Sequence, residues 1–175
     1  MVVTTLEPPA NDPPVTADGQ HTQSWTAFYQ DVATNLGAMQ PKQGVTDGSD
    51  AAAGNLGEYL FASGSGVGLG NGTPTNVATL ALTAGDWDVS GNVQFVATGV
   101  LTRVTAGVST VSGDYNRWST TVSGTLGSGS SQQIGTGGAV RVSVAAPTTA
   151  YLVAATTFTS GGVTADGTIW ARRAR

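Results

Sequence analysis

The chain carries one imidazole, His21, and no cysteine. A nucleophilic triad needs a base. This one lies in a proline-rich leader, just before a helix, where a structural role in helix capping is the expectation. No Gly-x-Ser-x-Gly elbow accompanies it. Asp86 and Asp88 share one face of a strand at roughly 6–7 Å. That is close to the ~5 Å between the carboxyls of a retaining glycosidase. They flank a turn, so the expectation is a solvated pair, with metal binding or glycan cleavage as the alternative. Asp47-Gly48-Ser49-Asp50 opens like a calcium loop but lacks the later ligands, notably the closing glutamate, and reads as a surface turn. The run from Ser63 to Gly72 has neither dinucleotide-loop spacing nor a phosphate-loop lysine, and no helix follows it. It reads as a flexible or sharply bent strand connection. Without cysteine there is no structural zinc site, thiol nucleophile or disulfide framework. No catalytic residue, cofactor or metal is expected.

Binding chemistry is easier to place than catalysis. In Asp114-Tyr115-Asn116-Arg117-Trp118, alternation sets Tyr115 and Arg117 on one strand face and Trp118 on the other. Tyr115 with Arg117 suits stacking on a sugar or a subunit contact, and Trp118 reads as core. The C-terminus gathers Arg172, Arg173 and Arg175 in an otherwise acidic chain. This cluster either pairs with acidic groups of a neighbouring subunit or forms a solvated basic tail.

These residues must be positioned by a small set of elements. Residues 1–23 form a Pro-rich leader, expected to run extended because proline fixes φ and removes a donor. Residues 24–40 read as the one helix, with Ser24 as N-cap and Pro41 as its stop. Trp25, Phe28, Tyr29, Val32, Leu36 and Met39 recur at helical spacing, and five of the six follow the alternating fours and threes of a two-heptad seam. Either the stripe packs on its own domain or it associates with other copies; its place between leader and connector favours self-association. So short a seam is unstable alone. Residues 41–57 are a Gly-rich connector, and 58–175 a β head.

Within the head, Asp86 to Phe95 is the clearest strand, with Trp87, Val89, Val93 and Phe95 on the dry face. Further strands are expected at 58–63, 76–83, 100–111, 115–125, 139–145, 150–159 and 168–172, with 127–138 left as a turn. Short strands at hairpin intervals predict a mainly β fold: an antiparallel β-sandwich, jelly-roll-like. No helical pattern lies between the strands, which excludes parallel α/β.

Composition fits this reading. The 175 residues include 25 glycines, only 10% are charged and the net charge is −4. There is no electrostatic footprint for nucleic acid. No stretch is long and apolar enough for a bilayer helix, and the N-terminus lacks the pattern of a signal peptide.

Asp18-Gly19-Gln20-His21-Thr22-Gln23-Ser24-Trp25-Thr26-Ala27-Phe28-Tyr29 is similar to the start of small phage fibre proteins, where a Pro-rich leader precedes a trimerising helix. Gly54 to Tyr59, Leu82 to Gly91 and Ile169 to Arg173 resemble the β-sandwich heads such proteins carry. The chain thus resembles bacteriophage virion appendage proteins: tail fibres, head fibres and spikes. That resemblance implies a structural, non-enzymatic homotrimer located in the virion. The leader would dock on other virion proteins of capsid or tail, and the head would point outward to contribute to host attachment. The alternative is a receptor-recognition module that binds host-surface glycan.

Overall fold

The computed structural model describes residues 8–39, 49–115 and 119–174, with backbone alone at 35–39. The chain divides into two compact units, Met1–Gln43 and Gly44–Arg175.

In the first unit, the leader does not stay extended. Val15 bridges His21, the Thr16 amide donates to the Gln20 carbonyl at 2.7 Å, and Gly19 turns the chain with φ +83°. Asp18-Gly19 supplies this reversal, because an aspartate beside a glycine free to adopt positive φ is turn chemistry. The reversal folds the proline stretch back beside the helix start. Thr22 Oγ1 donates to the Pro13 carbonyl at 3.0 Å, and the Trp25 indole N–H to the Asp12 carbonyl at 2.8 Å. Helix α1 spans Gln23–Met39, and its first backbone bond runs from Thr26 N–H to the Thr22 carbonyl. Thr22 rather than Ser24 is therefore the residue at the N-terminal boundary.

The described residues of the second unit form nine strands: β1 (Tyr59–Leu69), β2 (Thr75–Leu82), β3 (Gly85–Ala97), β4 (Leu101–Ser109), β5 (Ser119–Leu126), β6 (Ser131–Gly135), β7 (Val140–Val144), β8 (Thr148–Phe158) and β9 (Val163–Arg173). All the strand pairings are antiparallel, and one set of them is nested. The first strand pairs with the last, β2 with β8, β3 with both β6 and β7, and β4 with β5. This is one long hairpin rolled up, so that β9 also lies against β3 and β8 against β4. The result is two facing sheets, β1-β9-β3-β6 with β7 also on β3, and β2-β8-β4-β5. Such winding is a jelly roll.

The core lies between the sheets. Trp87, Val89, Val93 and Phe95 on β3 are fully buried, opposite Leu152 on β8 and Val104 on β4. Removing each such side chain from water contributes about 1.5–3 kcal/mol. The expected dry face of β3 is therefore the centre of the sandwich.

Two expectations about the strands change. The Gly-rich run continues β1 to Leu69, with a bulge between Gly64 and Val67. A Cβ on Gly64 would sit 1.9 Å from the Val77 carbonyl oxygen, so glycine is what lets β1 pass over β2 there. Inside the expected turn 127–138 lies β6, whose one aliphatic residue, Ile134, is buried. Strands β6 and β7 line up end to end along β3. At their junction, Gly91 and Thr136 exchange two bonds, amide to hydroxyl and amide to carbonyl, both 3.0 Å.

Candidate functional site

The helix is the first candidate surface. Trp25, Phe28 and Tyr29 form one ring cluster, with centroids 5.6–5.8 Å apart. His21 meets Tyr29 edge-on at 5.5 Å, and its Nδ1 lies 3.3 Å from the Pro14 carbonyl. The imidazole thus links the turn to the helix, as a structural residue would. Val32 is half-buried and Tyr29 is 46% exposed. No described side chain of this unit is buried. The side chains of Leu36 and Met39 lie outside the described residues.

The carboxylate pair is not simply solvated. Arg141 on β7 reaches across to both residues. Its Nε and Nη2 lie 2.7 and 2.6 Å from the two oxygens of Asp86, and its Nη1 lies 3.4 Å from Asp88. The Ser143 hydroxyl also donates to Asp86. Hydrogen bonding to Asp86, then the charges of both carboxylates, holds the Arg141 guanidinium protonated above its already high range. A bidentate fork engages both oxygens of one carboxyl. Asp86 is thereby tied into the β3–β7 ladder, where Asp88 faces Arg141 directly. Among the described residues no group of three acidic or imidazole side chains could hold a metal ion. Asp47 and Gly48 lie outside the described residues, as do Asn116, Arg117 and Trp118; Tyr115 is half-buried.

The C-terminal arginines divide by strand parity. Arg173 points inward and is 6% exposed. Its Nε donates to Glu58 Oε2 at 2.9 Å, its Nη1 to the Ala84 carbonyl at 2.9 Å, and its Nη2 to Thr83 Oγ1. Its guanidinium stacks 4.3 Å over Trp87. Of the two alternatives, subunit pairing or a solvated tail, Arg173 follows neither: its acidic partner is inside the chain, because period-two alternation turns Arg173 to the core and Arg172 to the outside. Gly85, at φ +145°, leaves the space: a Cβ there would fall 1.9 Å from Arg173 Nη1. Arg175 lies outside the described residues.

Sequence reasoning missed the outer face of the β1-β9-β3 sheet. Tyr59, Arg172 and Asp88 form one row across it, and Phe61, Trp170 and Ser90 the next. A groove of about 540 Å³ runs between this face and residues 49–57. The available signal was the alternation in Tyr59-Leu60-Phe61 and Trp170-Ala171-Arg172, which repeats large polar-tipped or aromatic residues on the wet side.

No protein-family model matches the sequence, and no curated protein is similar to it. Among solved structures, one of the infectious bursal disease virus Gx strain is 13% identical, covering 77% of this chain and 36% of that one, at a TM-score of 0.40. An infectious bursal disease virus VP2 subviral particle gives 13%, 77%, 38% and 0.41 in the same terms. The tripod (BppUct-A-L) from the baseplate of bacteriophage Tuc2009 is 15% identical, covering 93% of this chain and 99% of that one, at 0.25. The chain spans a little over a third of the length of the two bursal disease virus chains. At these scores the likeness carries nothing about activity or assembly.

Proposed function

We propose that this chain is a non-enzymatic structural subunit of a bacteriophage particle, a trimeric fibre, spike or decoration protein. The helix is its oligomerisation element, the leader docks on capsid or tail, and the jelly-roll head faces outward and contributes to host attachment. It resides in the virion after synthesis in the host cytoplasm.

The single observation behind this reading is the ring cluster on α1. Trp25, Phe28 and Tyr29 line a helix none of whose described side chains is buried. Trp25 and Phe28 are half-buried and Tyr29 is exposed, and apolar surface left partly accessible in this way suits an interaction surface. The seam spacing fits identical helices as the partner. Two further features agree. The fold recurs in viral coat and lectin domains, which is an analogy and not a site argument. The carboxylate pair, the best candidate for hydrolysis, is held by Arg141.

Native mass measurement of the full chain at micromolar concentration tests assembly. A trimer is expected, and Tyr29→Asp with Leu36→Asp should yield monomers or aggregates. A monomeric parent protein, or an unchanged trimer in the double variant, overturns the seam. Peptide analysis of purified particles tests location. Loss of the protein from particles on deleting residues 1–23, with the trimer intact, is the result expected of a docking leader.

A further inference from the structure

We propose that the outer face of the β1-β9-β3 sheet is a binding groove for a neutral oligosaccharide. The proposal deepens the reading of the head as a host-contacting tip and rests on that reading for its biological setting. The binding itself does not require the trimer.

One end of the face is an aromatic platform. Phe61 is 69% exposed and Tyr59 41%. Their rings stack at 6.4 Å with planes only 26° apart. Trp170 lies across the ladder from Phe61, on the adjacent strand, and lines the groove. A stacked pair on a rigid sheet leaves its ring edges and one outer face to a partner, and the C–H face of a sugar ring suits them. An aromatic handle at low entropic cost is the usual anchor of a recognition surface.

The hydrogen-bonding groups beside the platform match hydroxyls. Asp88 and Arg172 line the groove. Arg172 is exposed and makes no ion pair with a described residue. A carboxylate and a guanidinium side by side present an acceptor and a donor fork, the pairing that adjacent sugar hydroxyls satisfy. Farther along the same face, Asn92, Gln94 and Gln133 line a second, polar groove with Thr168 and Asp166, whose carboxylate accepts the Gly66 amide. Their amides bond no other described side chain. An array of amides and small polar residues continuing from a ring platform fits a chain of sugars rather than one residue.

Charge and polarity select among occupants. The first groove sets Asp50 and Asp88 against Arg172. This balance disfavours a polyanion. A second protein copy would bury about 800 Å² per partner with charged residues depleted at the centre of the contact, yet Asp88 and Arg172 sit beside the rings on this face.

The test uses the full chain, titrated by calorimetry and tryptophan emission with neutral hexasaccharides of glucose, mannose and galactose, and with an oligogalacturonate of equal length. Saturable binding of at least one neutral hexasaccharide is expected, stronger than that of oligogalacturonate. Phe61→Ala and Tyr59→Ala should each weaken it on the order of tenfold, while Val111→Ala, at an exposed position in the loop after β4, leaves it unchanged. Circular dichroism of each variant confirms folding. Four outcomes overturn the proposal. They are no saturable binding to any neutral hexasaccharide, tighter binding of the acidic chain, and loss of binding in Tyr115→Ala but not in Phe61→Ala. The fourth is a change of native mass in Phe61→Ala, which makes the face a subunit contact. Because the α1 variants are scored by mass and these by affinity, failure of the groove and failure of the seam are separately visible.

Discussion

The two units of this chain handle apolar surface in opposite ways. In Gly44–Arg175, the facing sheets close over Trp87, Phe95, Leu152 and Ile169 until each is fully buried. In Met1–Gln43, the largest rings gather into a cluster that stays accessible, with Tyr29 at 46%. The same hydrophobic driving force acts on both. In the head it is satisfied within one chain, because a rolled hairpin supplies two faces. A single helix with a turned-back leader has only one face. Within its own unit the cluster keeps Tyr29 accessible, which is why assembly is proposed for the helix and not for the sandwich.

The sharpest way to break that contrast is to open the head from inside. Glu58 and Arg173 are a buried ion pair, with side chains 7% and 6% exposed. The Glu58 carboxylate also accepts the Gly54 amide at 2.7 Å, tying the end of the connector to the last strand. Glu58→Ala leaves the guanidinium buried and uncompensated, which should lower the head's unfolding free energy by about 3–5 kcal/mol. Chemical denaturation measures it. A loss under about 1 kcal/mol would mean that water reaches Arg173 and that the pair does not close the sandwich.

Gly85→Ala asks the same question more gently. The backbone there adopts φ +145°, and a Cβ would collide with Arg173 Nη1. The guanidinium tip can move, so the cost comes chiefly from a conformation that other residues rarely adopt, about 1–3 kcal/mol. The thermal midpoint should fall, by less than in Glu58→Ala. An equal or higher midpoint would show that Gly85 is dispensable.

How far these features were legible follows from what each leaves in the sequence. Residues of β3 alternate strictly from Trp87 to Phe95, so strand, dry face and core could all be read from them. Strand β6 has a single aliphatic residue, Ile134, among Ser, Gln and Gly. One apolar residue defines no period, and β6 is held by its pairing with β3. The Gly64 stretch looked like a loop because glycine marks turns, whereas here it marks close passage of two backbones. The turn at Asp18-Gly19 was missed because the surrounding prolines argue for extension. For the candidate sites, spacing located the helix stripe. It could not join Asp86 to Arg141, 55 residues away, or Glu58 to Arg173, 115 away. Those partnerships depend on strand order, which local pattern does not encode. Alternation marks Tyr59 and Phe61, and separately Trp170, as outward-facing, but only the β1–β9 pairing sets Trp170 across from Phe61.

The converse of opening the head is to disrupt the helix and leave the head alone. Tyr29→Asp with Leu36→Asp should abolish the proposed trimer yet shift the head's own unfolding free energy by no more than about 0.5 kcal/mol, as expected for changes outside its core. Combined measurement of mass and denaturation checks this. A fall comparable to that of Glu58→Ala would mean the sandwich is stable only when assembled, and the two units would no longer be solving separate problems.

The smallest expected effect lies in the leader. The Thr16 hydroxyl donates to Asp18, and that bond, followed by the Asp18 amide, holds the carboxyl below its ordinary value of 3.8. A carboxyl depressed in the folded state stabilises the turn above pH 3.8, and the contribution is lost as pH falls through the lower folded value. The turn around Gly19 should therefore loosen only in acid, in a step visible in the amide signals of Gly19 and Gln20. Thr16→Val should move that step upward toward the ordinary value, because the largest cause of the depression has been removed. Asp18→Asn should abolish it. Should the step stay in place in Thr16→Val, the turn is set by its backbone bonds between Thr16, Gly19 and Gln20 alone, and the side chains merely decorate it.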